Sequence, residues 1–481
     1  MKNFKRPFVA LKMSLTLALL AAFVPPPRVA AQTRPPEQHQ RFLREVFKEL
    51  VEIDTTDTER GDNTRAARAM AERLRAAGFA DEDVRVLVPE GNARKGNLVA
   101  RLRGANPNLK PLLLLAHIDV VEARKEDWSP EFDPFKLTER EGYLYGRGTT
   151  DDKAMASIFV ANLIRLKQEN FRPERDIVVA LTSDEEGGDF NGAEFLLKNH
   201  RALVEAEYGI NEGAGGQIKK GRRLLNGVQA SEKVYQSFRL EVSNRGGHSS
   251  VPRRDNAVYQ LAAALGRLAA FEFRVNLNEV TRAYFERMAR LEQGQLAADM
   301  KAVARTPIDP AAVKRLSETP YYNALLRTTC VPTLVEAGHA ENALPQHARA
   351  TVNCRILPQE TAAEVRRTLV RVLADDQIKV TPVAESKPSP PSPLRGDVMG
   401  PVEGITQKMW PRVPVVPVMG TGATDSLFFR QAGIPMYGVS GIFGDIEDGR
   451  AHGKDERIAI TSFYEGQEFL YRLTKALSSG K

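Results

Sequence analysis

The residues best suited to chemistry in this sequence are histidines and carboxylates that follow short apolar runs. Leu112–Ala116 is one such run, and His117 and Asp119 come directly after it. An imidazole just past the carboxyl end of a strand lies where ligands bind in open α/β sheets, and an Asp two residues later can hold its other nitrogen. The adjacent pair Asp151 and Asp152 opens a helical segment, where a cation would relieve the repulsion. Each feature alone also has a structural explanation, a packed histidine or an N-cap aspartate.

Three further groups repeat this placement. Glu185 and Glu186 follow the apolar run Ile177–Thr182, Glu212 follows another short run, and His452 lies in a polar turn near the C-terminus. Adjacent glutamates project to opposite sides of the chain, so one can bind a metal while the other handles a water. An acidic surface turn would look similar. Taken together, five positions supply two histidines and three carboxylates without sulfur, a donor set that suits two divalent ions such as Zn²⁺.

The N-terminus has the composition of a secretory signal peptide. Basic residues precede an apolar stretch from Met13 to Val24, and the small residues Val29-Ala30-Ala31 offer a cleavage site before Gln32. The stretch is shorter than the roughly 20 residues that a spanning helix needs. We therefore expect residues 1–31 to be a cleaved signal peptide and the protein to be secreted or periplasmic. An uncleaved anchor is the alternative.

Composition excludes other classes. The chain has 481 residues, of which 42% are hydrophobic and 27% charged, as in ordinary globular proteins of more than one domain. Residues 1–31 carry five basic side chains and no acidic one, so the formal net charge falls from +7 to +2 without them. The basic balance therefore does not indicate nucleic-acid binding.

The two cysteines, Cys330 and Cys354, lie on predicted consecutive strands. If those strands pair around a centre near Asn342, the cysteines stand opposite each other, within reach of a disulfide. Two buried thiols remain an equal alternative. Neither cysteine belongs to a Cys-x-x-Cys pair, which disfavours a thiolate zinc site.

The elements that must position these residues alternate between strand and helix. Strands are predicted at Val84–Val88, Leu98–Leu102, Leu112–Ala116 and Ile177–Thr182, and helices at 37–53, 64–77, 154–168 and 193–199. This order indicates an α/β domain whose mostly parallel or mixed sheet is covered by helices.

The pattern changes around Lys233. Strand, helix, two strands, helix and strand follow one another, which favours a small α+β domain with an open-faced sheet. A charged helical insertion at 279–326 interrupts it, and a Pro-rich link at 386–394 ends it. We therefore predict a catalytic domain in two parts, 37–232 and 395–481, with the second domain, 233–386, inserted between them.

The sequence resembles the metallopeptidase family that includes glutamate carboxypeptidase, succinyl-diaminopimelate desuccinylase, aminoacylase, carnosinase and Gly-Xaa carboxypeptidase. The helical insertion is closest in style to the Gly-Xaa carboxypeptidase branch, which includes secreted N-acyl-amino-acid hydrolases. The matching segments occur in family order and are His117–Asp119, Gly146–Lys153, Thr182–Gly187, Gly246–Pro252, Asn342–Pro345, Gly420–Phe429 and His452–Ile458. The resemblance implies a di-metal exopeptidase-type catalytic domain with an inserted ferredoxin-like domain that serves as lid and dimerisation domain.

The resemblance also implies a ligand set for two divalent ions, expected to be zinc. His117 and Glu212 would bind one ion, and Glu186 and His452 the other, while Asp151 would bridge them. Glu212 stands where many relatives have Asp. The two ions would lower the pKa of a shared water.

Three catalytic roles follow from the same resemblance. Glu185 would act as the general base and return its proton to the leaving amine, and Asp119 would orient His117. His248, in the inserted domain, would cross a dimer interface to stabilise the oxyanion in the partner's site. A cis peptide is implied between Asp151 and Asp152.

Substrate contacts are implied as well. Arg355 would hold the substrate carboxylate, a task that suits a planar guanidinium. Asn342 and the loop formed by Gly420, Thr421 and Gly422 would complete the pocket. A surface role on its strand remains the alternative for Arg355.

These residues together predict a hydrolase that cleaves an amide bond next to a free carboxylate, as a carboxypeptidase or an N-acyl-amino-acid hydrolase does. We expect a peptide or N-acyl amino acid as substrate and a homodimer as the active form. An aminopeptidase or dipeptidase of the same fold is the first alternative. A non-catalytic binding protein is the second, although such a protein should lack Glu185 or a ligand.

Overall fold

The computed structural model describes Met1 and residues 34–479. The predicted signal peptide, apart from Met1, lies outside the described residues. Residues 34–479 lie in one compact unit, and every element named here belongs to it. Among the described helices, none is long and apolar enough to cross a membrane.

Residues 34–479 contain fourteen α-helices. They are α1 (Glu37–Val51), α2 (Asn63–Ala76), α3 (Lys153–Gln168), α4 (Gly192–Asn199), α5 (Arg201–Val204), α6 (Ala257–Ala269), α7 (Glu279–Met288), α8 (Gly294–Val303), α9 (Pro310–Ser317), α10 (Pro320–Leu326), α11 (Ala362–Leu373), α12 (Gly396–Met409), α13 (Ser426–Gln431) and α14 (Ile460–Ser478).

The same residues contain nineteen strands. They are β1 (Val84–Leu87), β2 (Asn97–Leu102), β3 (Leu112–His117), β4 (Thr138–Arg140), β5 (Tyr143–Tyr145), β6 (Ile177–Thr182), β7 (Tyr208–Asn211), β8 (Gly216–Lys219), β9 (Arg222–Glu232), β10 (Val234–Ser243), β11 (Gly247–His248), β12 (Thr329–Ala337), β13 (Ala343–Leu344), β14 (His347–Ile356), β15 (Lys379–Pro382), β16 (Val415–Gly420), β17 (Met436–Gly438), β18 (Phe443–Asp445) and β19 (Arg457–Ala459).

The large sheet is mixed, as predicted. Its order is β1-β2-β6-β3-β7-β17-β9-β8-β18, with β16 beside β9. β3 is parallel to both β6 and β7, and His117 is in register with Thr182. The carboxyl ends of these three strands therefore meet at one edge of the sheet, which brings the polar residues after them together.

Helices cover both faces of this sheet. α1, α3 and α14 pack on one face in the largest apolar cluster, and α4 and α13 pack on the other. All six residues of β3 and all six of β6 are buried, which explains why both strands are continuously apolar. The predicted α/β fold class is confirmed.

The second sheet has the order β12-β14-β10-β15 and its own apolar cluster, formed with α6 and α11 on one face. The chain passes from the first sheet to the second at Lys233, between β9 and β10. The domain boundaries at 37–232, 233–386 and 395–481 stay predictions. We refer to residues 233–386 as the lid domain.

The helical insertion, 279–326, packs away from the lid sheet. Its helices α7–α10 form a cluster with Val416 and Met419 of β16 and Leu225 of β9. The lid's edge strand β12 remains exposed over most of its length, including Val331, Leu334 and Val335, whose exposed fractions are 57%, 60% and 60%.

A disulfide joins Cys330 and Cys354. The two residues are paired in register between β12 and β14, as the predicted centre near Asn342 requires. The predicted disulfide is confirmed.

Candidate metal centre

His117 ends β3 and is almost fully buried. Its Nε2 atom lies 2.9 Å from Asp151 Oδ1, and its Nδ1 atom lies 3.1 Å from the backbone oxygen of Asp119. The Asp119 carboxylate is 3.6 Å from Nδ1, too far for a hydrogen bond. Its Oδ2 atom instead accepts a hydrogen bond of 2.9 Å from the backbone N–H of Glu186. Asp119 thus contacts His117 through its main chain and the glutamate loop through its side chain.

Asp151 stands between the two histidines. Its Oδ1 atom faces His117, and its Oδ2 atom lies 3.2 Å from Nε2 of His452. The peptide bond between Asp151 and Asp152 is cis, as the resemblance implied. One carboxylate with an oxygen toward each histidine is the arrangement that a bridging ligand needs.

Glu186 lies on the other side of His452. Its Oε1 atom is 2.8 Å from His452 Nε2. Ligand atoms of His117, Asp151 and Glu186 all lie within 4.8 Å of one another. The structure therefore brings four of the five predicted ligands into one connected cluster.

Glu185 and Glu212 are half-buried beside this cluster. Burial raises the pKa of both side chains well above the usual range, and each is close enough to further carboxylates to be raised more. Within residues 34–479, no side-chain or backbone donor makes a hydrogen bond to either carboxylate. Asp425, also buried, has a pKa raised to about 6.

The charge of this cluster tests whether cations fit it. Burial raises the pKa of Glu186 to about 7, and the charge of Asp151 adds to that effect. Asp119 Oδ1 and Asp152 Oδ2 are buried and have no hydrogen-bond partner. Buried carboxylates without enough cationic partners are costly. Two divalent ions would supply the positive charge that these carboxylates lack, so the set of imidazole and carboxylate donors fits them.

A buried glutamate that sequence reasoning missed holds the loop of the central ligand. Glu456 accepts hydrogen bonds from Arg147 Nη1 at 2.7 Å, Gly148 N at 3.0 Å, Thr150 N at 2.7 Å and Oγ1 at 2.8 Å, and Asp151 N at 3.2 Å. The antiparallel pair β5–β19 sets the two loops side by side. The only sequence signal was that Glu456 lies four residues after His452.

A second missed residue, Lys95, supports the glutamate loop. Its buried ammonium group makes ion pairs with Asp184, just before Glu185, and with Asp57 at 2.6 Å. Asp184 also accepts a hydrogen bond of 3.1 Å from Phe190 N, across the loop. No pattern near Lys95 in the sequence indicates this contact.

The predicted residues of the lid domain do not contact the cluster. His248 is exposed on β11, which pairs with β13, and Ser249 N donates a hydrogen bond of 3.0 Å to the backbone oxygen of Asn342. Arg355 stacks over the ring of Tyr235, with its guanidinium carbon 4.8 Å from the ring centroid. His248 and Asn342 are therefore neighbours, while Arg355 lies elsewhere in the lid.

The predicted substrate loop does reach the cluster. Gly420 ends β16, and Gly420, Thr421 and Gly422 line a cavity of about 460 Å³ that Glu212 also lines. A side-chain carbon at Gly420 would lie 2.6 Å from Gln229 Oε1, so a larger residue there would displace the Gln229 side chain.

The profile of Peptidase family M20/M25/M40 matches residues 113–476. The N-fatty-acyl-amino acid synthase/hydrolase PM20D1 of Mus musculus is 28% identical over 90% of this chain and 88% of its own. Carboxypeptidase S of Saccharomyces cerevisiae is 26% identical over 76% of this chain and 72% of its own. The crystal structure of an M20 family metallo-carboxypeptidase from Sulfolobus solfataricus has a TM-score of 0.64 and 20% identity over 91% of this chain and 99% of that one.

Proposed function

The chain belongs to Peptidase family M20/M25/M40 and hydrolyses amide bonds in a metal-dependent reaction, and we propose that it cleaves them next to a free carboxylate, in N-acyl amino acids. The observation that carries the proposal is the cluster of His117, Asp151, Glu186 and His452, with Glu185 and Glu212 beside it. Extensive similarity to an N-fatty-acyl-amino acid hydrolase favours an N-acyl substrate over a peptide.

The cluster binds two divalent metal ions, and we assign them as zinc. His117 and Glu212 would hold one ion, and Glu186 and His452 would hold the other, with Asp151 shared between the two pairs. Contacts of Asp151 with both histidines support this assignment. The ions supply a nucleophilic water at neutral pH and polarise the substrate carbonyl.

The chain's own residues move the protons. Glu185 accepts a proton from the attacking water and gives it to the leaving amine. Its burial without a hydrogen-bond donor leaves the carboxylate available for this transfer. The Asp119 carboxylate accepts a hydrogen bond from the N–H of Glu186, and the backbone oxygen of Asp119 contacts the His117 ring. Asp119 thus positions both residues.

The active form in this proposal is a homodimer built through the lid domain. His248 is exposed and has no contact with the metal centre of its own chain, and in this proposal it stabilises the oxyanion in the partner's site. The insertion packs on β16, which leaves the apolar edge strand β12 free to face a second copy. Arg355 would bind the substrate carboxylate in the assembled site, and Asn342 and the Gly420–Gly422 loop would complete the pocket. Export through a cleaved signal peptide completes the proposal.

A substrate panel tests the function. Purified protein loaded with Zn²⁺ is assayed with N-acyl amino acids, with the same compounds carrying a terminal carboxamide, and with Gly-Xaa dipeptides. We expect hydrolysis of the N-acyl amino acids and an at least tenfold lower kcat/KM when the carboxylate is blocked. An arginine that binds a carboxylate depends on its negative charge. Glu185→Gln is the inactive control.

Two results would redirect the assignment. Equal turnover of the carboxamides, combined with a requirement for a free amine, would identify an aminopeptidase or dipeptidase. A strong preference for Gly-Xaa dipeptides would identify a carboxypeptidase, the alternative that similarity to Carboxypeptidase S favours.

A further inference from the structure

The cavity beside the metal centre has one wall that the catalytic domain does not supply. Glu212 and the loop Gly420–Gly422 line one side of it, Val418 and Met419 line another, and Tyr321 of the helical insertion lines a third. Its volume of about 460 Å³ lies within the range of small-molecule sites.

Packing holds the insertion against this cavity. Phe285 of α7 and Leu325 and Leu326 of α10 are fully buried in the same apolar cluster as Met419 of β16. Tyr321, near the start of α10, is therefore tied to the strand that leads into the Gly420–Gly422 loop.

The ring of Tyr321 is itself held in place. It meets the buried ring of Tyr284 edge to face, with centroids 6.3 Å apart. The other side of Tyr321 is open, since 44% of the residue is exposed. A fixed aromatic ring with one open face is suited to pack against an apolar group of a ligand.

The remaining walls indicate which ligand group would fit. Among the described residues that line the cavity, none is basic, so an acidic group finds no partner there. Gly216 and Gly227 also line it and contribute no side chains, which leaves room for a bulky group. Polar side chains line part of the cavity, namely Glu212, Gln217, Gln229, Thr421 and Thr424, whereas Tyr321, Val418 and Met419 form an apolar wall. That wall suits an apolar group.

We propose that this cavity is the subsite for an apolar side chain of the substrate's amino acid, and that Tyr321 is its specificity-determining residue. The inference rests on the proposed function. In that function Arg355 binds the substrate carboxylate, and the Gly420–Gly422 loop completes the same pocket. The amino-acid side chain branches from the carbon next to that carboxylate, so it enters the same cavity and meets Tyr321.

The test compares three substrates and three variants. Values of kcat/KM for N-acetylphenylalanine, N-acetylalanine and N-decanoylalanine are measured with wild type, Tyr321→Ala, Tyr321→Phe and Tyr322→Ala. Tyr322 is the control for lost ring packing, because its ring packs near those of Phe285 and Tyr321 but does not line the cavity. Thermal unfolding of each variant reports on folding.

We expect Tyr321→Ala to lower kcat/KM for N-acetylphenylalanine about tenfold and to change that for N-acetylalanine less than about twofold, since an aromatic pair contributes a factor of about 2 to 12. Tyr321→Phe, which keeps the ring, and Tyr322→Ala should leave the preference intact. Proportional losses with both substrates, or the same change in Tyr322→Ala, would overturn the inference. A selective loss with N-decanoylalanine instead would assign the cavity to the acyl chain and also overturn it.

Failure of the proposed function gives a different result. If wild type hydrolyses none of these compounds, the proposed function is wrong. Calorimetric titration of N-acetylphenylalanine into Zn²⁺-loaded wild type and Tyr321→Ala then decides the inference. Binding about tenfold weaker in the variant supports it, and equal or absent binding overturns it.

Discussion

Glu185 and Glu186 are adjacent, yet their surroundings differ. The Glu186 carboxylate contacts His452, whereas the Glu185 carboxylate has no hydrogen-bond donor within residues 34–479. The two side chains leave the loop toward different surroundings, so one loop can supply a metal ligand and a proton-transfer group. Division of labour at this site is thus a consequence of backbone direction and burial.

Glu185→Gln should remove the base and spare the metals. The amide has nearly the same shape but cannot accept the proton, so we expect kcat to fall by a factor of about 10² or more. Zinc content by elemental analysis should stay at the wild-type value. Near-normal turnover would show that the base lies elsewhere.

The metal-free protein should lose stability as the pH rises from about 5 to 9. Burial and the charge of Asp151 raise the pKa of Glu186 from 4.5 to about 7, and the hydrogen bond to Asp151 raises that of His452 from 6.5 to about 9. Both groups bind more protons in the folded state than in the unfolded state over this range, so stability falls with increasing pH.

Zinc should reverse that trend, because its ligands must be deprotonated and a bound ion stabilises the folded state. Thermal unfolding with a chelator and with Zn²⁺, at pH 5.5 and pH 8, measures the effect. We expect the increase in Tm caused by Zn²⁺ to be larger at pH 8. An equal increase at both values, or full activity in chelator, would contradict the metal site.

Among the elements, the short strands β5 and β19 determine how close two ligand loops lie. Their antiparallel pairing places the loop after β5, which carries Asp151, beside the loop before β19, which carries His452. Glu456, which precedes β19, then joins the two loops by accepting N–H and guanidinium donors from the Asp151 loop. Two ligands that lie about 300 positions apart in the chain are thereby held at a contact distance of 3.2 Å.

Glu456→Gln should weaken metal binding without unfolding the protein. The amide turns one acceptor oxygen into a donor that faces other donors, and partners of metal ligands typically change affinity by about 10- to 100-fold. Zinc affinity measured by competition with a chelator provides the readout. Glu468→Gln is the control, since Glu468 is a buried partner of Arg165 outside the metal site. A similar loss of affinity in both variants would argue against a positioning role for Glu456.

At the scale of the whole molecule, the lid domain has an exposed apolar edge strand. β12 presents Val331, Leu334 and Val335 to solvent at the edge of a sheet. Exposed apolar edge strands are prone to pair with another chain. A two-fold dimer through β12 would bury them and would place the lid residue His248 near a second metal centre.

Mixing two inactive variants tests shared sites. Co-refolded His248→Ala and Glu185→Gln chains should recover part of the wild-type activity, because one mixed site then contains both an intact Glu185 and an intact partner His248. Leu334→Lys should reduce both dimer mass and activity by placing a charge in the interface. Proven mixed dimers without recovered activity would show that each chain completes its own site.

The sequence by itself predicted the strands that present the cluster, and its resemblance to a known family implied the metal ligands. Burial on both faces makes β3 and β6 apolar up to their last residues, and parallel strands bring their carboxyl ends to one edge, so the local pattern predicted that the polar residues after them would meet. The register of a predicted pair of strands allowed the disulfide, but two free thiols were an equal alternative until the structure showed the bond. These features depend on residues close together in the chain or on general geometry of sheets.

Only the tertiary structure decided which residues support that cluster and what covers it. Lys95 meets Asp184, Glu456 meets the loop of Asp151, and the helical insertion packs on β16 so that Tyr321 reaches the cavity. The Asp119 carboxylate likewise binds the N–H of Glu186 rather than the ring of His117. All of these contacts join elements far apart in sequence. Their partners are chosen by the packing of whole elements, which the periodicity of a single segment does not encode.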